Sequence, residues 1–193
     1  MITKMIIWIA SYPKSGNTWI RSLISSLIYT NSGVFNFELL KNILQFPIRQ
    51  YFKDFTTDYN NPQELKKYWL LAQDKLNLDG RVKFFKTHHS NCKLDNYTFT
   101  NKENTLAIIY VVRDPRNLVK SFTNHYAFKQ KEVIKFLTSS EPAFVTGHLG
   151  LEGNENSVFS IIGSWKDHIK SWTKKKDLCS NILIIKYEDL IKN

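Results

Sequence analysis

Cysteine is scarce in this chain. Its two thiols, Cys92 and Cys179, lie far apart, with no C-x-x-C pair or histidine-rich context around either. That argues against a disulfide framework or a zinc site as an organising feature, and a reducing compartment is the simplest inference. Long apolar runs are missing too. The N-terminus carries a lysine and only the short apolar run Met5 to Ala10 before polar loop residues. That is too short for a secretory signal or for the ~20 residues of a membrane span, so the reading is a cytoplasmic protein with no membrane partner. Repeats, low-complexity segments and breaks in composition are absent, and residues 1–193 are expected to form a single domain. Acidic residues are in the minority, 17 Asp and Glu against 27 Lys and Arg, and the resulting charge of +10 favours a polyanionic ligand. Nucleic acid is one such ligand and a multiply phosphorylated nucleotide another. The basic residues are scattered, with only Lys174-Lys175-Lys176 as a tight run that reads as a solvated helix end, so charge alone does not choose. What the chain does have is core-forming material: 42% hydrophobic and 14% aromatic residues, enough at this length to bury a substantial core and to exclude disorder.

The most informative stretch is Met5 to Thr30. Met5 to Ala10 suits a parallel strand buried on both faces, and Ile20, Leu23, Ile24, Leu27 and Ile28 fall on one face of a helix. Between them lies Ser11-Tyr12-Pro13-Lys14-Ser15-Gly16-Asn17-Thr18. A turn leading from a strand end into a helix offers unpartnered N–H groups and the positive end of the helix dipole, a ready anion site. Gly16 allows close backbone approach, Lys14 adds an ammonium, and the Ser15 and Thr18 hydroxyls are further donors. The Walker pattern G-x-x-x-x-G-K-[ST] is absent, since the lysine precedes the single glycine, which argues against an ordinary nucleoside triphosphatase.

Tyr12 to Trp19 resembles the 5′-phosphosulfate-binding loop of the cytosolic sulfotransferase family, which normally reads Y-P-K-S-G-T-T-W. Asn17 replaces one threonine. Three later segments match the same family in order. Val82 to Phe85 reads as a short strand running into Lys86-Thr87-His88-His89, a place where open α/β sheets bind ligands and where a histidine can serve as general base. The family's K-T-H segment carries the catalytic histidine and a lysine on the sulfonate, which implies His88 and Lys86. His89 is the competing base. Thr105 to Val112 is the clearest second strand and leads through Arg113 to Asp114 as N-cap, Pro115 at the first helical position, and a helix with Leu118, Val119 and Phe122 on one face. R-[DN]-P-R-[ND]-x-x-x-S grips the donor's 3′-phosphate in the family, implying Arg113 and Ser121. Ile182 to Ile185 reads as the last strand, and the following Tyr187-Glu188-Asp189-Leu190 resembles the family's Y-E-D-[LM], whose tyrosine approaches the adenine.

Elsewhere the first helix is expected to stop near Asn31-Ser32-Gly33, and Pro62 to Leu76 to be a helix with Leu65, Tyr68, Trp69 and Ala72 on one side, lining an acceptor pocket or ordinary core. Gln130 to Asn156 reads as a loop with a helical start. Val158, Ile161, Ile162, Trp165, Ile169 and Trp172 read as an amphipathic helix, with Trp165 in a packing role. The element order fits a parallel sheet covered on both faces, and the resemblance implies an α/β fold of the P-loop NTPase-like three-layer type, a central parallel sheet flanked by helices. It further implies transfer of a sulfuryl group from 3′-phosphoadenosine-5′-phosphosulfate to a hydroxyl or amine of a small-molecule or glycan acceptor, without a metal and leaving 3′-phosphoadenosine-5′-phosphate. In that scheme Lys14, Lys86 and His88 do the chemistry, and Lys14, Ser15, Gly16, Asn17, Thr18, Trp19, Arg113, Ser121 and Tyr187 bind the donor, with Trp19 on the adenine. Family members run on beyond Y-E-D into a helix and a basic R-K-G stretch that completes the 3′-phosphate grip. This sequence ends at Asn193 before it, leaving open a short member, a fragment or a weak donor binder. The alternatives are a nucleotide-binding module of the same fold without turnover, a small P-loop kinase and, more distantly, a nucleic-acid binder. The acceptor and the oligomeric state are not legible.

Overall fold

The computed structural model describes residues 5–139, 144–145, 156, 158–174 and 178–192. Its spine is a four-stranded parallel sheet in the order β2-β1-β5-β8, made of β1 (Ile6–Ser11), β2 (Lys83–Thr87), β5 (Thr105–Val112) and β8 (Ile182–Lys186). The first strand lies in the middle, with β2 on one side and β5 on the other. The chain therefore reverses its winding direction between β1 and β5, and the crevice past their carboxyl ends is where open α/β sheets hold ligands.

Period-two alternation along β1 decides what each face buries. Ile6, Trp8 and Ala10 join Phe46, Phe85, Phe99 and Trp172 in the larger core, while Ile9 joins Ile20, Ile43 and Val111 on the opposite face. Trp8 is fully buried, its ring within 6.1 Å of those of Phe46, Phe85, Phe99 and Trp172, and its indole N–H donates to Thr105 Oγ1 at 3.1 Å. At an order of magnitude, 2–3 kcal/mol of hydrophobic stabilisation attaches to each such side chain.

Helix α1 (Asn17–Tyr29) follows the loop after β1 and ends as expected before Gly33, which has φ +70°. Its buried face is not the expected leucine stripe. Ile20 and the serines Ser25 and Ser26 are buried, whereas Leu23, Leu27 and Ile28 are exposed. The helix is wedged between the sheet and a 3₁₀ segment, Phe37–Asn42, whose chain is held by Arg21 Nη2 donating to Leu40 O (3.0 Å) and Ile43 O (2.7 Å). Helix α2 (Pro62–Leu65), a 3₁₀ turn (Lys66–Tyr68) and α3 (Trp69–Asn77) replace the single helix expected over 62–76. Leu65, Trp69 and Ala72 are core residues, and Tyr68 stacks on Phe55. A small hairpin, β3 (Lys93–Leu94) and β4 (Tyr97–Thr98), precedes β5.

Helix α4 (Pro115–Tyr126) begins as the sequence indicates: the Asp114 carboxylate accepts from the Arg116 N–H at 2.8 Å, and Leu118 and Phe122 are buried. Helix α5 (Gln130–Thr138) is the helical start of the expected loop; between Ser139 and Val158 the described residues are strand β6 (Phe144–Val145) and Asn156, and the remainder of that loop lies outside them. The amphipathic helix expected from Val158 is corrected. Strand β7 (Ser160–Ile161) pairs antiparallel with β6, and α6 (Trp165–Thr173) starts only after Gly163, at φ +72°, and the N-cap Ser164, whose hydroxyl accepts from the Asp167 N–H. Gly163 breaks the pattern and Ser164 restarts it. Lys174 caps α6, but Lys175 and Lys176 lie outside the described residues. Helix α7 (Tyr187–Leu190) follows β8. The sheet is not covered evenly: Leu183 and Ile184 of β8 are more than half exposed among the described residues. No described helix is long and apolar enough to cross a membrane.

Candidate functional site

The turn after β1 is built from alternating backbone conformations. Lys14 has φ +65° and Gly16 φ +95°, with Ser15 between them donating its N–H to Tyr12 O at 3.2 Å. Left-handed residues in such alternation aim successive N–H groups into one concavity, an anion nest that α1 extends with the unpartnered N–H groups of its first turn. Gly16 is required for its conformation and for space: a Cβ there would stand 2.3 Å from Tyr187 Cδ2. Tyr187 thus forms one wall of the turn. The Arg113 guanidinium lies 4.2 Å from the centre of the Tyr187 ring and donates through Nη1 to Lys14 O at 2.9 Å, tying the end of β5 to the loop. Its Nε is buried without a partner. The Tyr187 neighbour Glu188 reaches to the start of α4, accepting from the Asp114 N–H (3.0 Å) and from Asn117 Nδ2 (3.2 Å). Burial pushes this carboxyl up, but those donors hold it below its ordinary range.

Just past β2, His88 approaches the end of β1. Its Nδ1 lies 2.7 Å from Ser11 O and 3.3 Å from Ser11 Oγ. A carbonyl only accepts, so Nδ1 carries the proton of the neutral ring and the lone pair sits on Nε2. Behind it, the buried His168 makes a 3.0 Å contact from Nε2 to His88 O and a 2.8 Å contact from Nδ1 to the Tyr110 hydroxyl. By the same logic Nε2 is the donor and Tyr110 donates to Nδ1. Burial pushes His168 down to about 3 and keeps it neutral, while burial drives Tyr110 well above the usual phenol range. His89, the competing base, is a core residue: it stacks on Phe99 with centroids 4.1 Å apart, and burial pushes it down to about 4.

One cavity of about 800 Å³ gathers these groups. Lys14, Gly16, Asn17, Thr18, Trp19, Arg113, Ser121 and Tyr187 line it, as do His88, Gln45 and the apolar Phe35, Phe37, Val158 and Ile162. The Lys14 ammonium sits 5.6 Å from the ring centre of Tyr126, another wall residue. Two sequence-derived candidates are not among the lining residues. Ser15 is fully buried, with its hydroxyl unpartnered, and Lys86 is 3% exposed within β2. The Leu44–Phe46 segment hydrogen-bonds to the backbone of Lys86 on both sides, and Gln45 from that segment reaches the cavity. Asn17 lines the cavity, yet its amide donates inward to Ile9 O (2.9 Å) and Ser11 Oγ (3.1 Å). Sequence reasoning assigns no role to Ser11, Tyr110, Gln45 or His168. Their signal is tertiary, because each acts through a residue far away in the chain. Glu188 is visible inside its motif but without a partner.

The site fits a bisphosphorylated nucleotide: an N–H nest at the end of one strand, an arginine with an unsatisfied Nε at the end of the next, and an aromatic side chain, Trp19, 54% exposed beside them. Comparison with known proteins identifies the family. The model of the family described as Sulfotransferase domain matches residues 5–193. Sulfotransferase 1B1 of the dog is 26% identical over 197 residues, spanning 96% of this chain and 53% of its own. The 3-alpha-hydroxysteroid sulfotransferase of the guinea pig is 25% identical over 185 residues, 95% of this chain and 52% of its own. Among solved structures, mouse sulfotransferase SULT7A1 complexed with PAP superposes with a TM-score of 0.50 at 20% identity, covering 98% of this chain and 53% of that one. Retinol dehydratase in a complex with retinol and PAP gives 0.51 at 20% identity, covering 100% and 57%. The chain thus spans about half the length of the curated relatives it matches. By family match, by fold and by the order of its motifs along the sheet, this chain belongs to the sulfotransferase domain family.

Proposed function

We propose that this domain binds 3′-phosphoadenosine-5′-phosphosulfate and takes part in sulfuryl transfer to a hydroxyl or amine of a small-molecule acceptor, in the cytoplasm. The observation that carries this reading is the meeting of three strand ends in one cavity: the Lys14–Gly16 nest after β1, Arg113 after β5 and His88 after β2. The bound donor supplies an activated sulfuryl group whose leaving oxygen belongs to the 5′-phosphate. The nest N–H groups and Lys14 are preorganised to hold charge on that phosphate, the kind of electrostatic arrangement that gives catalysis its largest contribution. Arg113 and Ser121 hold the 3′-phosphate through charge-assisted bonds, and Trp19 offers a stacking face to the base. His88 takes the acceptor's proton on Nε2, because Ser11 O occupies Nδ1–H. Phe35, Phe37, Val158 and Ile162 line the same cavity as His88, which suits an apolar acceptor better than a glycan.

Calorimetry with 3′-phosphoadenosine-5′-phosphate tests the reading. The protein binds it; Lys14→Ala and Arg113→Ala each weaken binding by about 10–100-fold, the size of a lost charge-assisted contact; His88→Ala binds normally but does not sulfate a phenol probe such as 4-nitrophenol. Absence of binding to the unmodified protein overturns the reading. A second reading is favoured by the burial of Lys86 away from the cavity lining: a module that binds the bisphosphate with little turnover. Binding without sulfation under the same conditions selects it.

A further inference from the structure

We propose that Asn17 and Ser11 form a positioning pair that sets the tautomer and basicity of His88. The catalytic meaning of this pair rests on the sulfotransferase reading; its effect on the imidazole does not. Asn17 is the one position where the loop departs from Y-P-K-S-G-T-T-W, and its side chain is 4% exposed. Nδ2 donates to Ile9 O at 2.9 Å and to Ser11 Oγ at 3.1 Å. The first partner is a carbonyl, which fixes the amide the right way round. A threonine has one hydroxyl hydrogen on a shorter stem and cannot make both bonds. The departure from the family pattern therefore adds a connection rather than merely replacing one polar residue by another.

That connection ends at the base. Ser11 is fully buried and offers two oxygens to His88 Nδ1, its carbonyl at 2.7 Å and its hydroxyl at 3.3 Å. By accepting from Asn17 on one lone pair, the hydroxyl is held beside the ring with its second lone pair available to Nδ1–H. When Nε2 takes up a proton, the Nδ1–H of the resulting cation meets two acceptors, and hydrogen bonds to the charged form favour it. Released from Asn17, the hydroxyl is able to turn and donate to Nδ1. That arrangement stabilises the other neutral tautomer, in which Nε2 holds a proton and cannot accept one. Among the described residues, the charged and titratable groups that line the cavity together with this ring are Lys14 from the loop, Arg113 from the end of β5, His125 and Tyr126 from α4 and Tyr187 from α7. His168 of α6 holds the His88 carbonyl from behind. Cations lining the same cavity disfavour an imidazolium, and the Ser11 oxygens oppose them. Because Asn17 is also the first residue of α1, the turn that offers N–H groups to a phosphate and the group that orients the base are one piece of backbone.

The test is long-range ¹H–¹⁵N NMR on the full chain labelled at histidine, with His88 assigned among the five histidines by its loss in His88→Gln. In the unmodified protein neutral His88 shows a protonated Nδ1 and a bare Nε2. Asn17→Thr shifts it toward a tautomer mixture, Ser11→Ala leaves Nδ1 protonated on the Ser11 carbonyl, and both lower its titration midpoint by about half a pH unit, worth roughly 0.7 kcal/mol, while Ser11→Thr keeps the parent tautomer and midpoint. With 4-nitrophenol as acceptor, the same two variants lose several-fold in kcat with little change in KM, and Ser11→Thr recovers it. An unmodified protein protonated at Nε2, or an unchanged tautomer and midpoint in both variants with a folded amide spectrum, overturns the proposal. Should Asn17→Thr fail to fold, Ser11→Ala decides by the titration midpoint. Failure of the unmodified protein to bind 3′-phosphoadenosine-5′-phosphate, with the NMR result intact, sinks the sulfotransferase reading and leaves the pair's effect on His88 standing.

Discussion

Gly16→Ala probes the wall between the anion loop and the Y-E-D segment. Two costs can be read from the structure. The residue sits at φ +95°, where an L side chain costs about 1–2 kcal/mol. In addition its Cβ would stand 2.3 Å from Tyr187 Cδ2 and 2.7 Å from Cε2, so the ring must leave. Moving it forfeits the Arg113 guanidinium above its face, about 0.5–2 kcal/mol. Together the expected destabilisation is about 2–4 kcal/mol, and at about 2–4 °C per kcal/mol for a domain of this size the melting temperature falls by roughly 4–16 °C. The steric part depends on Tyr187 and the backbone part does not. In a Tyr187→Ala background the same substitution should therefore cost only about 1–2 kcal/mol, and the double-mutant cycle should show a coupling of about 1–2 kcal/mol. Urea unfolding of the four proteins measures this, and calorimetry with the bisphosphate should show weakened binding in Gly16→Ala. Equal costs in the two backgrounds would refute the claim that Tyr187 packs on the turn.

Two other contacts carry predictions of their own. Glu188→Ala removes the acceptor for the Asp114 N–H and for Asn117, and should cost about 1–2 kcal/mol by thermal shift; Glu188→Gln, which keeps an oxygen there, should recover part of it, and a melting temperature within a degree of the parent would contradict the role. Stability should also fall on acidification below pH 6.5. His89 and His168 are held neutral with values near 4 and 3, so the unfolded chain takes up their protons first; their contribution is complete above about pH 6.5 and is lost as pH falls toward 4. Each is worth roughly 2 kcal/mol at pH 5. Asp114, which Arg116 holds down to about 2, titrates below that window. Urea midpoints that stay level or rise between pH 7 and pH 5 would refute this.

Local signals were the legible ones. The apolar run from Met5, the TLAIIYVV strand and the Asp114-Pro115 cap each carry their own conformational reason, and all three lie where expected. The apolar spacing from Val158 was misleading, since positions i, i+3 and i+4 are also buried in an extended segment; Gly163 was the overlooked sign. Leucine periodicity did not mark the buried face of α1, which packs on the 37–42 turn as well as the sheet and buries Ile20, Ser25 and Ser26. His88 and His89 are neighbours in sequence, and period two separates them. His89 shares parity with the core residue Phe85, and it packs in the same aromatic cluster against Phe99. Side-chain direction at Asn17 and Lys86 was not legible, because Asn17 is turned inward by the Ile9 carbonyl and the Ser11 hydroxyl, and the backbone of Lys86 is covered by the Leu44–Phe46 segment from elsewhere in the chain.

Strand β1 lies between the strands that lead into His88 and Arg113, and the loop that continues it supplies the nest. Phe35, Phe37, Val158 and Ile162, which line the same cavity as His88, belong instead to segments outside the four strands of that sheet. The wall residues of the chamber are therefore held by different parts of the fold. Substitutions in the connecting segments can reshape what is admitted while the machinery anchored in the strands keeps its spacing, so one chassis can serve many guests.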